Sequence, residues 1–151
     1  MRSEKFGVVS SRTLILAMTV AACAFFAFEA AAEANKDAVR IELNKLSDEG
    51  GGCHAYFVFD NQGDSDYREL KIDLVIFNSE DIFERRFAME VAPLDAEKRT
   101  VKLFELKKMS CDRIGSFLIN GVLECEQGKR RQTDCVQRLV PSSRVDVKLT
   151  K

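Results

Sequence analysis

After residue 36, apolar and polar side chains alternate with period two, the pattern of strands that bury one face. Val39, Ile41 and Leu43 alternate with Arg40, Glu42 and Asn44. "AYFVF" (Ala55 to Phe59) is a continuous apolar run, suited to a central strand covered on both faces. Leu70, Ile72, Leu74 and Ile76 share one face, with Lys71 and Asp73 on the other. Phe83, Phe87, Met89 and Val91 then lie opposite Glu84, Arg86 and Glu90. Val101 and Leu103 open a further strand, where the apolar parity slips to Phe104 and Leu106 and predicts a bulge or a twist. Phe117, Ile119 and Leu123 share a face, and Val145, Val147 and Leu149 alternate with Arg144, Asp146 and Lys148. One short helix is predicted late in the chain: Thr133 caps it, Cys135, Val136 and Leu139 fall at helical spacing, and Pro141 ends it. About seven strands separated by polar turns predict an all-β, immunoglobulin-like antiparallel β-sandwich.

The first 32 residues follow a different rule. Arg2, Lys5 and Arg12 precede an apolar run from Leu14 to Phe28, and "EAAAEAN" follows with small residues at Ala30, Ala32 and Ala34. This order predicts a secretory signal peptide over 1–32, cut at one of those alanines. The run is shorter than the ~20 apolar residues of a membrane span. "TVAAC" also resembles a lipobox, which would acylate Cys23 and tether the protein to a membrane. The apolar "AFFAF" after Cys23 favours cleavage and a periplasmic product, a single domain over 33–151. The whole chain has 23 basic and 24 acidic residues, and the leader takes three and two of them, so the domain is nearly neutral. That balance predicts no nucleic-acid partner.

Four of the five cysteines follow the leader: Cys53, Cys111, Cys125 and Cys135. An even number in an exported chain predicts disulfides. No C-x-x-C pair is present to suggest a zinc or redox site. Proximity in sequence predicts Cys125–Cys135, and elimination then predicts Cys53–Cys111.

"CHAYFVFDN", "LKIDLVIFN", "KRTVKLFEL", "FLINGVLEC" and "PSSRVDVKL" resemble successive blocks of a family of small exported alphaproteobacterial proteins. Members are often labelled Tat pathway signal sequence domain proteins. The resemblance covers nearly all of the domain and its four cysteines, and it implies no activity. This chain departs from the label in lacking an arginine pair before the apolar run. More distantly, residues 53–106 resemble FxLyD-type immunoglobulin-like envelope domains, which again implies the sandwich.

The only histidine, His54, follows Cys53. Neighbours on a strand face opposite sides, so the two are not expected to form a nucleophile–base pair. No G-x-S-x-G elbow accompanies His54 for a serine triad. "DNQGDSD" (Asp60 to Asp66) offers oxygen ligands, but its Gly63 comes too early for a helix-loop-helix calcium loop, which leaves a solvated hairpin turn. The expectation is therefore no catalytic residue, no metal and no cofactor. A non-catalytic module would bind an envelope protein through a sheet edge, with "RVDVKLTK" (Arg144 to Lys151) as the candidate edge, guarded by Arg144, Lys148 and Lys151. The alternative is a cryptic enzyme or a small-ligand carrier with a cavity between the sheets.

Overall fold

The computed structural model describes residues 36–151; the expected leader, its cleavage positions and Cys23 lie outside the described residues. The strands are β1 (Val39–Glu49), β2 (Gly52–Asn61), β3 (Tyr67–Phe77), β4 (Phe83–Glu90), β5 (Lys98–Lys107), β6 (Ser116–Gln127), β7 (Arg130–Arg131), β8 (Leu139–Ser143) and β9 (Lys148–Thr150). A 3-10 turn at Cys111–Arg113 precedes β6, and a one-turn helix α1 at Cys135–Arg138 precedes β8. Two sheets form a sandwich: one in the order β5-β2-β1-β8, the other β4-β3-β6 with β7 and β9 both on β6.

The long strands pair antiparallel as expected, but β8 runs parallel to β1 and β9 parallel to β6. Parallel neighbours need a crossover of a dozen residues or more. For β6 and β9 the stretch through β7, α1 and β8 supplies it, and β1 and β8 are joined by all the elements between them. The predicted helix is shorter than its pattern: Asp134 stands at the N-cap, and Leu139 is already extended. Pro141 does not stop the helix but sits within the edge strand β8, a position where a missing N–H is tolerated.

The core lies between the sheets. Val39, Ile41, Leu43, Ala55, Phe57 and Phe59 from one sheet meet Leu70, Ile72, Leu74, Ile76, Met89 and Phe117 from the other. Phe57 is its aromatic centre, edge-on to Phe104 and Phe117 at 5.8 Å each. Gly50 and Gly51, at φ of 59° and 85°, make the tight turn from β1 to β2.

Bulges do not fall where the apolar pattern placed them. The register of β5 on β2 is continuous from Lys98 to Lys107, so the bulge expected in β5 is absent. Bulges occur instead at Asn44 in β1, Arg68 in β3, Glu84 in β4, and Asn120 and Leu123 in β6. Each flips the following side chains. Phe83, expected inside, faces out opposite Phe77, and Leu123 is exposed while Val122 turns inward.

Both disulfides form, with the expected pairing. Cys53–Cys111 ties the start of β2 to the turn after β5, and Cys125–Cys135 ties β6 to α1. Such bonds persist in an oxidising compartment outside the cytoplasm. No described helix is long and apolar enough to cross a membrane.

Candidate interaction site

The outer face of the first sheet carries the most unusual surface. In β5, Thr100, Lys102, Phe104 and Leu106 turn toward the core, so Val101 and Leu103 must turn outward. They are 65% and 48% exposed. On β2 their register partners are Val58 and Tyr56. Lys45 on β1 lies beside Tyr56, its amine 5.4 Å from the ring centroid, a cation–π contact. The result is an apolar strip, Val58–Val101 and Tyr56–Leu103, between two charged rows. Asp60 faces Arg99 at one end, and His54 faces Glu105 at the other.

β5 is also an edge strand, with only β2 beside it. Its alternation shows which peptide groups are free. Gln62 donates to the Ala38 carbonyl, so the even residues of β2 point to β1 and its odd residues to β5. In the β2–β5 register odd meets even. Lys108 accordingly donates to the Gly51 carbonyl. The N–H and C=O groups of Arg99, Val101, Leu103 and Glu105 therefore point away from the sheet. The free direction is visible at Lys107, whose carbonyl accepts a 3.0 Å hydrogen bond from Arg85 of β4. Lys102 closes the same side of the sandwich, its amine 3.3 Å from the Ala92 carbonyl, and burial pushes its pKa down.

The other candidates fall differently. Cys53 faces the core inside its disulfide, while His54 turns outward with Nδ1 3.3 Å from a Glu49 carboxylate oxygen, without hydrogen-bond geometry. The structure does not bring the thiol and the imidazole together. In "DNQGDSD", Asn61 is fully buried and acts as a loop tie. Its amide donates to the Ser65 and Asp95 carbonyls at 3.0 Å, and its side-chain oxygen accepts from Gly63 N–H. Asp66 accepts from Ala96 N–H. Neither is a spare ligand, and the described residues hold no cluster of three metal-ligating side chains.

"RVDVKLTK" is not a guarded edge of the kind expected. Only Lys148–Thr150 is strand, and Leu149 is buried. Arg144 pairs with Glu42 at 2.8 Å, and the Lys151 amine donates to the carbonyls of Val136, Gln137 and Leu139 at the end of α1. Those charges complete the domain's own fold, at a helix C-terminus where a cation is favoured.

The outer face of the second sheet is ionic. Lys71 bridges Glu90 at 2.7 Å and Glu124 at 3.3 Å. Asp73 is buried beneath Arg86, which binds both its oxygens at 2.6 and 2.7 Å, and Asn120 donates to it as well. The Arg86 contact, helped by Asn120, holds the carboxyl below the usual aspartate range. A groove of about 310 Å³ beside the Cys125–Cys135 bond is lined by Val122, Leu123, Gln132, Thr133 and Val136. It lies at the edge of β6, not between the sheets.

Neither a family model nor a curated protein matches this chain. Among solved structures, IrmA from Escherichia coli is similar, with a TM-score of 0.53 at 15% identity over 69% of this chain and 90% of that one. At that identity the likeness shows the sandwich fold alone.

Sequence reasoning missed Val101 and Leu103 as surface residues. The signal was present: they share parity with Arg99 and Glu105, whereas Phe104 and Leu106 supply a second apolar set of opposite parity. Two apolar sets on one unbulged strand mean that one of them faces solvent.

Proposed function

We propose that this is an exported, periplasmic, non-catalytic protein-interaction module that engages an envelope protein through β5. The observation that carries the reading is the coincidence of free peptide groups and exposed apolar side chains on one regular edge strand. Such an edge adds a partner's strand to the sheet, with backbone hydrogen bonds giving affinity and alternate side chains giving specificity. The two disulfides, the near-neutral charge and the leader pattern support an exported role without nucleic acid. Membrane attachment enters only through acylation of Cys23. The non-catalytic reading is supported by four cysteines held in disulfides and by His54 turned toward Glu49.

The test is photo-cross-linking in the native envelope from a reactive side chain placed at Tyr56. Val101→Thr with Leu103→Thr keeps β-propensity on an exposed face and shifts stability by about 0.5 kcal/mol or less. The cross-linked adduct should disappear in the double variant and survive His54→Ala. An adduct unchanged in the double variant would sink the reading. Loss of the cellular role in a folded His54→Ala protein would favour an enzyme.

A further inference from the structure

We propose that the strand received by β5 is β5 of a second copy, paired antiparallel about a two-fold axis at Lys102. This inference rests on the interaction reading above and names its partner.

An isologous contact requires the strand to match its own reverse. Read backwards about Lys102, β5 places Val101 opposite Leu103 and Arg99 opposite Glu105. All four side chains lie on the outer face, and their peptide groups are the ones that point away from β2. Apolar therefore meets apolar and basic meets acidic, twice each by symmetry. Each facing pair exchanges both of its N–H···O bonds, about eight in all.

Neighbouring registers lack this match. A shift of two residues one way sets Arg99 against Leu103. A shift the other way sets Val101 against Glu105 and Arg99 against Lys107, two like charges. A shift of one residue puts outward peptide groups against inward ones and flips the faces. One register is favoured, and it joins two four-stranded sheets into a continuous sheet.

Pairing stops at two copies. The opposite edge of the same sheet, β8, contains Pro141, which has no N–H to donate. The one unfavourable contact is at the axis, where the two Lys102 side chains face each other on the inner side. An inward lysine on an edge strand blunts pairing. Only a strand-wide contact is formed, so the dimer is weak, with a Kd on the order of 100 µM.

Sedimentation velocity of the disulfide-bonded protein, from about 10 µM to about 1 mM, reads the association directly. The expected result is a concentration-dependent shift from monomer to dimer and no further. Arg99→Glu alone and Glu105→Arg alone should each weaken self-association about tenfold. Mixed together they should pair with each other, because every facing charge is again opposite. Lys102→Met should tighten the dimer about tenfold by removing the like-charge contact. A wild type monomeric at about 1 mM, or a mixture of the two charge variants that fails to associate, overturns the proposal. If the wild type is monomeric while Val101→Thr/Leu103→Thr still abolishes the envelope cross-link, the second copy is wrong and the interaction edge stands. If the cross-link also persists, both readings fall.

Discussion

Removing the two disulfides one at a time should give unequal losses, and the chain between the cysteines sets the order. Cys53 and Cys111 are 58 residues apart, Cys125 and Cys135 only 10. A cross-link restricts the unfolded chain by an amount that grows with the logarithm of the loop it closes. At 25 °C this gives about 4.2 kcal/mol for the long loop and about 2.7 kcal/mol for the short one. Of the four bonded cysteines all but Cys111 are buried within the fold, so paired Cys→Ala substitutions leave similar packing losses, and most of the difference of about 1.5 kcal/mol remains. With an m-value of about 1.5 kcal/mol/M, the Cys53→Ala/Cys111→Ala protein should unfold about 1 M earlier in urea than Cys125→Ala/Cys135→Ala. Equilibrium unfolding followed by circular dichroism measures both midpoints. The reverse order would refute the loop argument and make docking of α1 on β6 the larger contribution.

Three further outcomes follow from single contacts. Gly115→Ala would set its Cβ 2.2 Å from the Asn78 carbonyl oxygen and 2.5 Å from its carbon, backbone atoms that cannot move aside. It should cost about 2–3 kcal/mol in urea unfolding, whereas Gly121→Ala, with nothing within 4 Å, should be nearly silent. Asn61→Ala removes three hydrogen bonds from a fully buried tie between two loops, and a loss of about 2–4 kcal/mol is expected. For Asp73, the depressed pKa means that the unfolded chain takes up its proton first as pH falls. Its contribution is full above the ordinary aspartate range and is lost as pH drops through the folded value. Asp73→Asn should therefore lower the urea midpoint at pH 7 and lose that deficit in acid.

The layers were legible in the sequence because period-two alternation reports burial of one face. The parities of β1 and β3 hold: Val39, Ile41 and Leu43, and Leu70, Ile72, Leu74 and Ile76, all point inward. Where a bulge intervenes, alternation misleads, since one extra residue reverses everything after it. Phe83 and Leu123 were misplaced for that reason. In β5 the error ran the other way. Apolar residues on both parities imitate a bulge, although the strand is regular and simply exposes one set. The short parallel strands were illegible because their pairing depends on where α1 redirects the chain. The charges of the C-terminal segment could be read, but not their partners at Glu42 and the end of α1.

The interaction reading assigns a definite polarity to β5, and proline can probe it. The other edges are already blunted: β4 by its bulge at Glu84, β8 by Pro141, and β6 by two bulges and partial cover from β7 and β9. The ionic outer face of the second sheet would also have to shed water from Lys71, Glu90, Glu124 and Arg86 before a partner could dock, which is costly. β5 alone combines a regular backbone with apolar side chains. Val101 N–H points to the free edge, so Val101→Pro takes no hydrogen bond from β2 and should leave the domain folded. Lys102 N–H points at Phe57 of β2, so Lys102→Pro removes a ladder bond and should cost about 3 kcal/mol or more. Urea unfolding should separate the two variants by that margin, while the Tyr56 cross-link is lost in both. A Val101→Pro protein that folds and still cross-links would show that the edge is not where the partner binds.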